Sequence, residues 1–272
     1  MHAWQALVLG IIEGITEFLP VSSTGHLLVA QRLLGIGASE AANAFVVAIQ
    51  AGALLAVLAL YARRLRQLLA GALGADADGR RLLLLLLLAF APAAVAGLLF
   101  DERIEAVLFG PWPVVGAWIV GGLAILLLGA RLPWVRGTAG LPLERLDARR
   151  ALLVGLAQCL ALWPGTSRSL VTIVAAALLG LSAPAAIEFS FLLGALTLGA
   201  ASGWTLLHHG QQLFASYGAG SLLLGFAAAF VAALLSVRWM VGWLSGHGLQ
   251  LFGWWRVLLG GAVAAALLAG VL

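Results

Sequence analysis

The side chains best suited to chemistry lie in residues 13–26, which read E-G-I-T-E-F-L-P-V-S-S-T-G-H within an otherwise apolar region. Glu13 and Glu17 are four residues apart, so on a helix their carboxylates share one face. Pro20 ends that helix, because its ring removes a backbone donor and restricts the preceding residue. Three hydroxyls and an imidazole follow, on Ser22, Ser23, Thr24 and His26. Such a set is typical of a hydrolytic or phosphate-handling site.

The composition predicts a polytopic membrane protein. The 272 residues are 63% hydrophobic and 10% charged, and the mean hydropathy is +1.08, far outside the range of soluble domains. All 15 basic residues are Arg, clustered in loops rather than along a stripe, which excludes a nucleic-acid-binding protein. An ionisable side chain at membrane depth costs about 2.5–3.5 kcal/mol, so those in residues 13–26 are expected to be functional.

The hydropathy pattern divides a single integral membrane domain, 1–272, into two similar halves. Each half has one hairpin of short apolar helices followed by three longer spans. In the first half, 1–130, these are a hairpin at 2–35 and spans at 43–62, 82–100 and 112–130. In the second half, 151–272, they are a hairpin at 151–181 and spans at 184–207, 219–243 and 250–272. The short helices fall below the roughly 20 residues that a span needs, so both hairpins are predicted to be re-entrant.

Three spans per half is an odd number, so the second half must be inverted relative to the first. We therefore predict an all-α polytopic membrane protein with six transmembrane helices plus two re-entrant helix hairpins in an inverted-topology repeat. The hairpin tips are expected to meet near the middle of the membrane. Arginines concentrate in two loops, 63–81 and 131–150, that two spans separate. Both loops then lie on one face, which the positive-inside rule makes cytoplasmic.

The second hairpin tip, P-G-T-S-R-S at 164–169, contains Arg168, which has no acidic residue close to it in sequence. A guanidinium is a rigid fork that matches phosphate oxygens, so Arg168 is predicted to bind a phosphate. Hydroxyls and backbone N–H groups of the two turns add donors, which makes substrate-binding candidates of Ser22, Thr24, Gly25, Thr166, Ser167 and Ser169. The alternative is that Arg168 forms a purely structural ion pair with Glu13 or Glu17.

Phosphoryl transfer needs a cation that clamps charge and a nucleophile with a base. Ser23 lies three residues before His26, so their side chains are predicted to hydrogen-bond as nucleophile and base, with Ser22 as the competing nucleophile. Carboxylates repel phosphate, so Glu13 and Glu17 are predicted to bind a divalent cation, Mg2+ or Ca2+. Without a cation, one glutamate must be protonated or act as a base. The predicted catalytic residues are Glu13, Glu17, Ser23, His26 and Arg168.

Residues 13–26 and 164–169 resemble the two signature motifs of the undecaprenyl-diphosphate phosphatases, the bacitracin-resistance family of bacterial inner membranes. The similarity extends over nearly the whole chain, including A-F-V-V-A-I-Q-A-G-A-L-L-A-V at 44–57 and E-F-S-F-L-L at 188–193. Leu170 departs from the family, which commonly has Gly after S-R-S.

The resemblance implies hydrolysis of the terminal phosphate of a C55 polyprenyl diphosphate, which recycles the lipid carrier for cell-wall synthesis and confers bacitracin resistance. It further implies that the counterparts of the five catalytic candidates are essential and that activity depends on a divalent metal. The active site would open toward the periplasm.

Other predictions concern function, partners and isolated polar residues. An inverted repeat is also common in carriers, so a polyprenyl-phosphate transporter or flippase is the alternative function. Gln50 and Gln158 are expected to form interhelical hydrogen bonds, with phosphate or metal binding as the alternative. Glu188 is expected to be an interfacial helix-start carboxylate, with an ion pair to an arginine as the alternative. Residues 208–218 are expected to form an outer loop.

Two glycine pairs that allow close helix contact are candidates for a homodimer seam: Gly121-Gly122 and Gly260-Gly261.

Overall fold

The structure is a computed structural model that describes residues 1–37, 39–129 and 140–272. Every regular element in these ranges is a helix, which confirms the all-α class. The α-helices are α1 (Ala3–Thr16), α2 (Ser23–Leu33), α3 (Glu40–Leu60), α4 (Ala62–Ala72), α5 (Ala77–Leu108), α6 (Pro111–Leu128), α7 (Ala148–Gln158), α8 (Arg168–Leu178), α9 (Ala183–His247) and α10 (Gln250–Leu268). Short 3-10 helices at Leu143–Arg145 and Cys159–Leu162 flank α7. Arg131, Arg136 and the last residue of the predicted span 112–130 lie outside the described residues.

In the part of the chain that the structure describes, six helical segments are long and apolar enough to cross a membrane, the number predicted. They are Ala41–Leu60, Ala77–Phe100, Pro111–Leu128, Ala183–Trp204, Tyr217–Leu244 and Gln250–Leu268. The chain is therefore a multi-pass membrane protein. Five other helices of the described ranges have only 11 to 14 residues: α1, α2, α4, α7 and α8. A span needs roughly 20 residues, so none of the five crosses a bilayer by itself.

Helix α9 continues through the segment predicted to be an outer loop, 208–218. Its backbone is helical from Ala183 to His247 and departs from helical geometry at Gly218, where φ is 70°. The loop prediction is wrong for the residues before this glycine. A helix satisfies its own backbone hydrogen bonds wherever it emerges from the membrane, so a polar sequence there does not end it. Gly218 adopts positive φ without the steric cost of a Cβ.

Helix α9 is also the surface against which α1 and α3 pack. The contacts depend on small residues: a Cβ on Gly14 of α1 would meet the backbone oxygen of Ala229, and one on Gly52 of α3 would meet that of Phe226. Lipid tails are as apolar as the side chains, so helices in a membrane associate through close packing rather than hydrophobic burial. Glycine at these positions permits that close approach.

The contact between α6 and α10 uses glycines for which the sequence predicts close helix packing, with a homodimer seam as one candidate location. A Cβ on Gly122 would lie 2.7 Å from Val257, and one on Gly260 would lie 3.0 Å from Ile119. Gly121 faces the side chain of Arg256. Three of the four glycines therefore form a close helix contact, as predicted, and this contact lies within the chain.

The two Arg-rich loops meet on one side of the molecule, as predicted. Arg64 Nη2 lies 3.2 Å from Glu144, and Arg81 Nη1 donates to the Glu144 carbonyl at 2.8 Å. A hydrogen bond from its own backbone N–H, together with the Arg64 guanidinium, holds the pKa of Glu144 below its usual value. Arg64 Nε also binds Glu188 at 2.6 Å, so the alternative prediction for Glu188, an ion pair with an arginine, is confirmed. Folding places Glu188, near the start of α9, beside Arg64 of α4.

We expect Gly52→Ala to lower the free energy of unfolding by about 1–3 kcal/mol, because the added methyl overlaps backbone that cannot move aside. Gly116→Ala in α6 is the matched control, since a Cβ there would meet nothing within 4 Å. The free energies of unfolding of both variants can be measured in mixed detergent micelles, with circular dichroism as the signal. Equal stability of the two variants would contradict the close α3–α9 contact.

Candidate active site

The first turn of the site, residues 17–22, joins α1 to α2. Ser22, the residue before α2, has φ of 72°, a left-handed conformation that is uncommon for a residue with a Cβ. Val21 N donates to Leu19 O at 2.8 Å, and Trp118 Nε1 of α6 donates to Val21 O at 3.0 Å. Such strained backbone persists only where its surroundings fix it, and it is concentrated at functional sites.

The second turn, residues 163–167, joins the 3-10 helix after α7 to α8. Ser167 has φ of 73°, nearly the same conformation as Ser22. Its Oγ accepts a hydrogen bond from Leu170 N at 3.3 Å and so caps α8. Gly165 has φ of 94° and lies against α6, where a Cβ would come within 2.9 Å of the Val114 oxygen. Each turn thus ends at a helix N-terminus, where backbone N–H groups favour an anion.

The two turns meet at the carboxylate of Glu17. Ser23 Oγ donates to Oε2 of Glu17, and Arg168 Nη2 donates to Oε1 at 2.9 Å. The side chains of Arg168 and Glu17 are only 11% and 6% exposed. A second link between the turns is the 2.9 Å hydrogen bond from Ser169 Oγ to Leu19 O. One buried carboxylate therefore joins a hydroxyl and a guanidinium that are 145 residues apart in sequence.

This geometry bears on two interpretations made from the sequence. The meeting of the two hairpin tips predicts that Ser23 and His26 come together with Arg168. Ser23 and Arg168 do meet at Glu17, whereas His26 binds the Ser22 carbonyl and Trp255. The ion pair between Arg168 and Glu17, the structural alternative, is also formed. The two interpretations are compatible, because the same guanidinium can exchange one oxyanion for another. The catalytic roles of these residues stay predictions.

Glu13 lies one turn before Glu17 on α1 and is fully buried. Neither of its carboxylate oxygens has a hydrogen-bond partner among the described residues. An unpaired buried carboxylate is costly unless it binds a cation or a proton. The pair Glu13 and Glu17 fits a divalent cation in this respect, since hard cations prefer carboxylate oxygens. In the described ranges no group of three or more His, Cys, Asp or Glu side chains gathers, so the protein would supply two carboxylates.

His26 is not hydrogen-bonded to Ser23, so the predicted hydrogen bond between them is wrong, while their roles as nucleophile and base stay predictions. Its Nδ1 lies 2.7 Å from the Ser22 carbonyl, and its Nε2 lies 3.0 Å from Trp255 Nε1. An indole N–H only donates, so Nε2 must accept and the ring proton belongs on Nδ1. In the first turn of α2 the imidazole ring lies beside the Ser22 carbonyl. The Ser23 hydroxyl points instead toward Glu17.

Arg168 is held on three further sides. Its guanidinium carbon lies 5.5 Å from the ring centre of Phe18, and Nη1 lies 3.5 Å from the Ser190 carbonyl. Gly194 of α9 packs directly against it, leaving no room for a side chain at that position. A cation over an aromatic face and beside carbonyl oxygens keeps part of its stabilisation when water is absent. The guanidinium is therefore fixed before any ligand arrives.

The remaining substrate-binding candidates lie in or beside the two turns. Thr24 is exposed at the start of α2, whereas Gly25 is buried against the Trp118 ring. Thr166 is half-buried, and its N–H donates to the Trp163 carbonyl at 3.1 Å. The hydroxyls of Ser167 and Ser169 lie 3.1 Å apart. Of this set, Thr24 is the side chain most open to a ligand.

Two site residues that the sequence analysis missed are neighbours on α10. Trp255 donates to His26, and Arg256 is fully buried with Nη2 2.9 Å from the carbonyls of both Ala117 and Gly165. The signal for Arg256 was present, because a charged residue inside an apolar span is functional by default. The sequence gives no such signal for Trp255, since a tryptophan near the end of a span usually lies at the membrane–water interface.

Gln158 of α7 was expected to form an interhelical hydrogen bond. It is 2% exposed, and neither its amide oxygen nor its nitrogen has a partner in the described part of the chain. The prediction of a hydrogen bond is wrong for this structure. An offset of 145 residues relates Gln158 to Glu13, whose carboxylate is likewise buried and unpartnered.

Comparisons with known proteins agree with one another. A family model described as bacitracin resistance protein BacA matches residues 6–262. The undecaprenyl-diphosphatase of Sorangium cellulosum is 47% identical over 266 residues, covering 97% of this chain and 86% of the relative. Undecaprenyl-diphosphatase 1 of Chromobacterium violaceum is 47% identical, with 94% and 93% covered. The undecaprenyl-diphosphatase of Cereibacter sphaeroides is 46% identical, with 97% of each chain covered.

We expect Trp255→Phe to allow both neutral tautomers of His26, because the indole N–H is the donor that keeps Nε2 unprotonated. Nitrogen-15 NMR of histidine-labelled protein should show the Nδ1-protonated form in the wild type and a mixture of tautomers in the variant. Trp254→Phe, one residue away and also exposed, is the control and should leave the spectrum unchanged. An unaltered His26 tautomer in Trp255→Phe would contradict this assignment.

Proposed function

The chain belongs to the bacitracin resistance protein family and is a phosphatase, and we propose that its substrate is undecaprenyl diphosphate. The reaction breaks the bond between the terminal phosphorus and the bridging oxygen, releasing inorganic phosphate and leaving undecaprenyl phosphate. The observation that supports this most directly is the meeting of a guanidinium, a hydroxyl and a carboxylate at Glu17. The long apolar helices give a prenyl chain a matching environment.

Arg168 binds the terminal phosphate. Its Nη2 donates to Glu17 in the structure, and an incoming phosphate oxygen replaces that acceptor. The guanidinium is already fixed by Phe18 and the Ser190 carbonyl, so little reorganisation accompanies the exchange. A preorganised donor in a water-poor site stabilises the charge that develops on the equatorial oxygens in the transition state. The N-terminus of α8 adds backbone N–H groups beside the same oxygens.

Ser23 and Glu17 activate the attacking oxygen. The Ser23 hydroxyl donates to Glu17, so the carboxylate is placed to take the proton of Ser23 or of a water that Ser23 positions. As the oxygen attacks phosphorus, the electrons of the anhydride bond leave on the bridging oxygen of undecaprenyl phosphate. If Ser23 itself attacks, water then hydrolyses the phosphoserine. His26 orients Ser22 and the turn rather than acting as the first base, because both of its nitrogens already have partners.

Glu13 and Glu17 would hold a divalent cation, Mg2+ or Ca2+. The unpaired, fully buried carboxylate of Glu13 supports this proposal. Such a cation, when bound, neutralises phosphate charge and offsets the repulsion between the substrate and the two carboxylates. Glu13 itself supplies oxygen ligands and excludes water from the inner end of the site.

The two short helix pairs, α1–α2 and α7–α8, are proposed to be re-entrant hairpins of an inverted repeat with halves 1–130 and 151–272. The nearly equal φ values of Ser22 and Ser167, 72° and 73°, support a common ancestry of the two turns. An inverted pair would bring both tips from opposite faces to a site near the middle of the membrane. The site is proposed to open toward the periplasm in a bacterial inner membrane, opposite the Arg-rich loops.

In the cell, this reaction would return the lipid carrier to its monophosphate form for peptidoglycan synthesis. More carrier in that form would also confer resistance to bacitracin. Assembly as a homodimer stays a prediction, and Gly261 is the one seam candidate whose Cβ would meet nothing within 4 Å.

Protein purified in detergent should release phosphate from a C55 or shorter prenyl diphosphate when Mg2+ or Ca2+ is supplied. Arg168→Ala and Glu17→Gln should each lower the rate by at least about 100-fold, the usual effect of removing a transition-state donor or its activating group. Arg238→Ala, an exposed arginine of α9, is the control. No phosphate release, combined with protein-dependent movement of prenyl phosphate across a liposome, would select the transporter instead.

Chelation of divalent cations should stop phosphate release, and added Mg2+ or Ca2+ should restore it. In Glu13→Gln we expect the cation concentration for half-maximal rate to rise by at least about 10-fold, because a ligand oxygen and its charge are lost. Glu188→Gln is the control, since that carboxylate binds Arg64 at the loop face. Cation dependence identical to wild type in Glu13→Gln would rule out Glu13 as a ligand.

A further inference from the structure

We propose that Arg256 is a positioning residue that holds the two turns of the site in register, an inference that rests on the proposed phosphatase function. Its guanidinium contacts one carbonyl from each turn and one from the helix between them. These are Pro20 O at 3.4 Å, Gly165 O at 2.9 Å and Ala117 O at 2.9 Å. Arg256 therefore joins the segment of Glu17 and Ser23 to the segment of Arg168.

The environment of Arg256 shows that this contact is costly and specific. The side chain is fully buried in α10, a helix long and apolar enough to span a membrane. No carboxylate of the described residues lies within ion-pair distance of it. A charge in such a medium is tolerated when backbone carbonyls or other polar groups surround it. Its Nε hydrogen has no partner in the described chain, so the guanidinium binds the surrounding carbonyls through Nη1 and Nη2.

The carbonyls that Arg256 binds are those that the turns cannot satisfy themselves. Pro20 and Gly165 lie in the turns that follow α1 and the 3-10 helix after α7, and no backbone N–H of the described residues donates to either carbonyl. Buried backbone oxygens without a donor are unfavourable where water is absent. The guanidinium supplies donors to both at once, which couples the position of one turn to that of the other.

The neighbouring helix is shaped to admit this side chain. A Cβ on Gly121 of α6 would overlap the Arg256 guanidinium, and one on Gly122 would lie 3.1 Å from the Arg256 Cβ. Both Nη atoms are committed to carbonyls and the side chain is fully buried, so Arg256 acts through the turns and not on the substrate. This distinguishes it from Arg168, which is 11% exposed and faces Glu17.

A lysine cannot replace this contact. Its ammonium is a compact point charge, whereas the planar guanidinium reaches carbonyls in several directions from one position. Arg256→Lys thus keeps the charge and removes the link between the turns. Gly121→Ala tests the same link from the other side, because it displaces the guanidinium and leaves Arg256 in the sequence.

The experiment compares Arg256→Lys and Gly121→Ala with the wild type and with Arg238→Lys, the same change at an exposed position of α9. Misplacing reacting groups by about 1 Å lowers rates by about 100-fold. We expect kcat for phosphate release from prenyl diphosphate to fall by about 10- to 100-fold in both site variants, with KM changed by less than about 3-fold. Amide hydrogen exchange should accelerate in peptides that cover residues 17–25 and 163–170 and stay unchanged in α3 and α5.

Wild-type kcat and exchange in Arg256→Lys would overturn the proposal, since the charge alone would then suffice. Faster exchange throughout the protein in both variants would also overturn it, because Arg256 would then be a general stability residue. If the wild type releases no phosphate while the variants still loosen both turns, the positioning role stands and the proposed function fails.

Discussion

The structure depends on keeping one carboxylate, that of Glu17, buried in a medium with very little water. A buried anion needs both charge compensation and hydrogen bonds, and neither is available from α1 alone. Arg168 supplies the charge and Ser23 supplies the hydroxyl. Since Arg168 comes from the other half of the chain, the carboxylate is stable only when the two turns are together. Assembly of the site therefore requires the two turns to pack together.

A second constraint is that both turns expose backbone where helices cannot continue. Their carbonyl oxygens find donors on side chains of other elements: Trp118 for Val21, Ser169 for Leu19 and Arg256 for Pro20 and Gly165. Irregular backbone at membrane depth is allowed where protein surrounds it. Two residues at positive φ, Ser22 and Ser167, then stay fixed without glycine. Their strain is held by the packing of α6 and α10 around them.

The ion pair that stabilises the turns also holds the groups that a phosphate would need. Arg168 gives its donor to Glu17, so an anionic ligand competes with that carboxylate for the same guanidinium. Exchange of one oxyanion for another leaves the net charge around Arg168 balanced while Glu17 becomes free to accept a proton. Glu13 lies one helical turn before Glu17, and its carboxylate has no partner in the described chain. A cation bound there would balance the negative charge that the phosphate adds. Stability without ligand and binding of ligand therefore use the same contacts.

The sequence by itself determined the all-α membrane class and the six long apolar helices, because hydropathy is a local property of the chain. The two motifs indicated the family, and the repeat of a hairpin with three spans predicted that the two turns meet. The tertiary structure alone decided which atoms pair. Ser23 faces Glu17 and not His26, His26 faces Trp255, and Arg256 lies between the turns. These partners are about 90 to 230 residues apart or compete within one helical turn, so side-chain direction and packing, which no local pattern encodes, select among them.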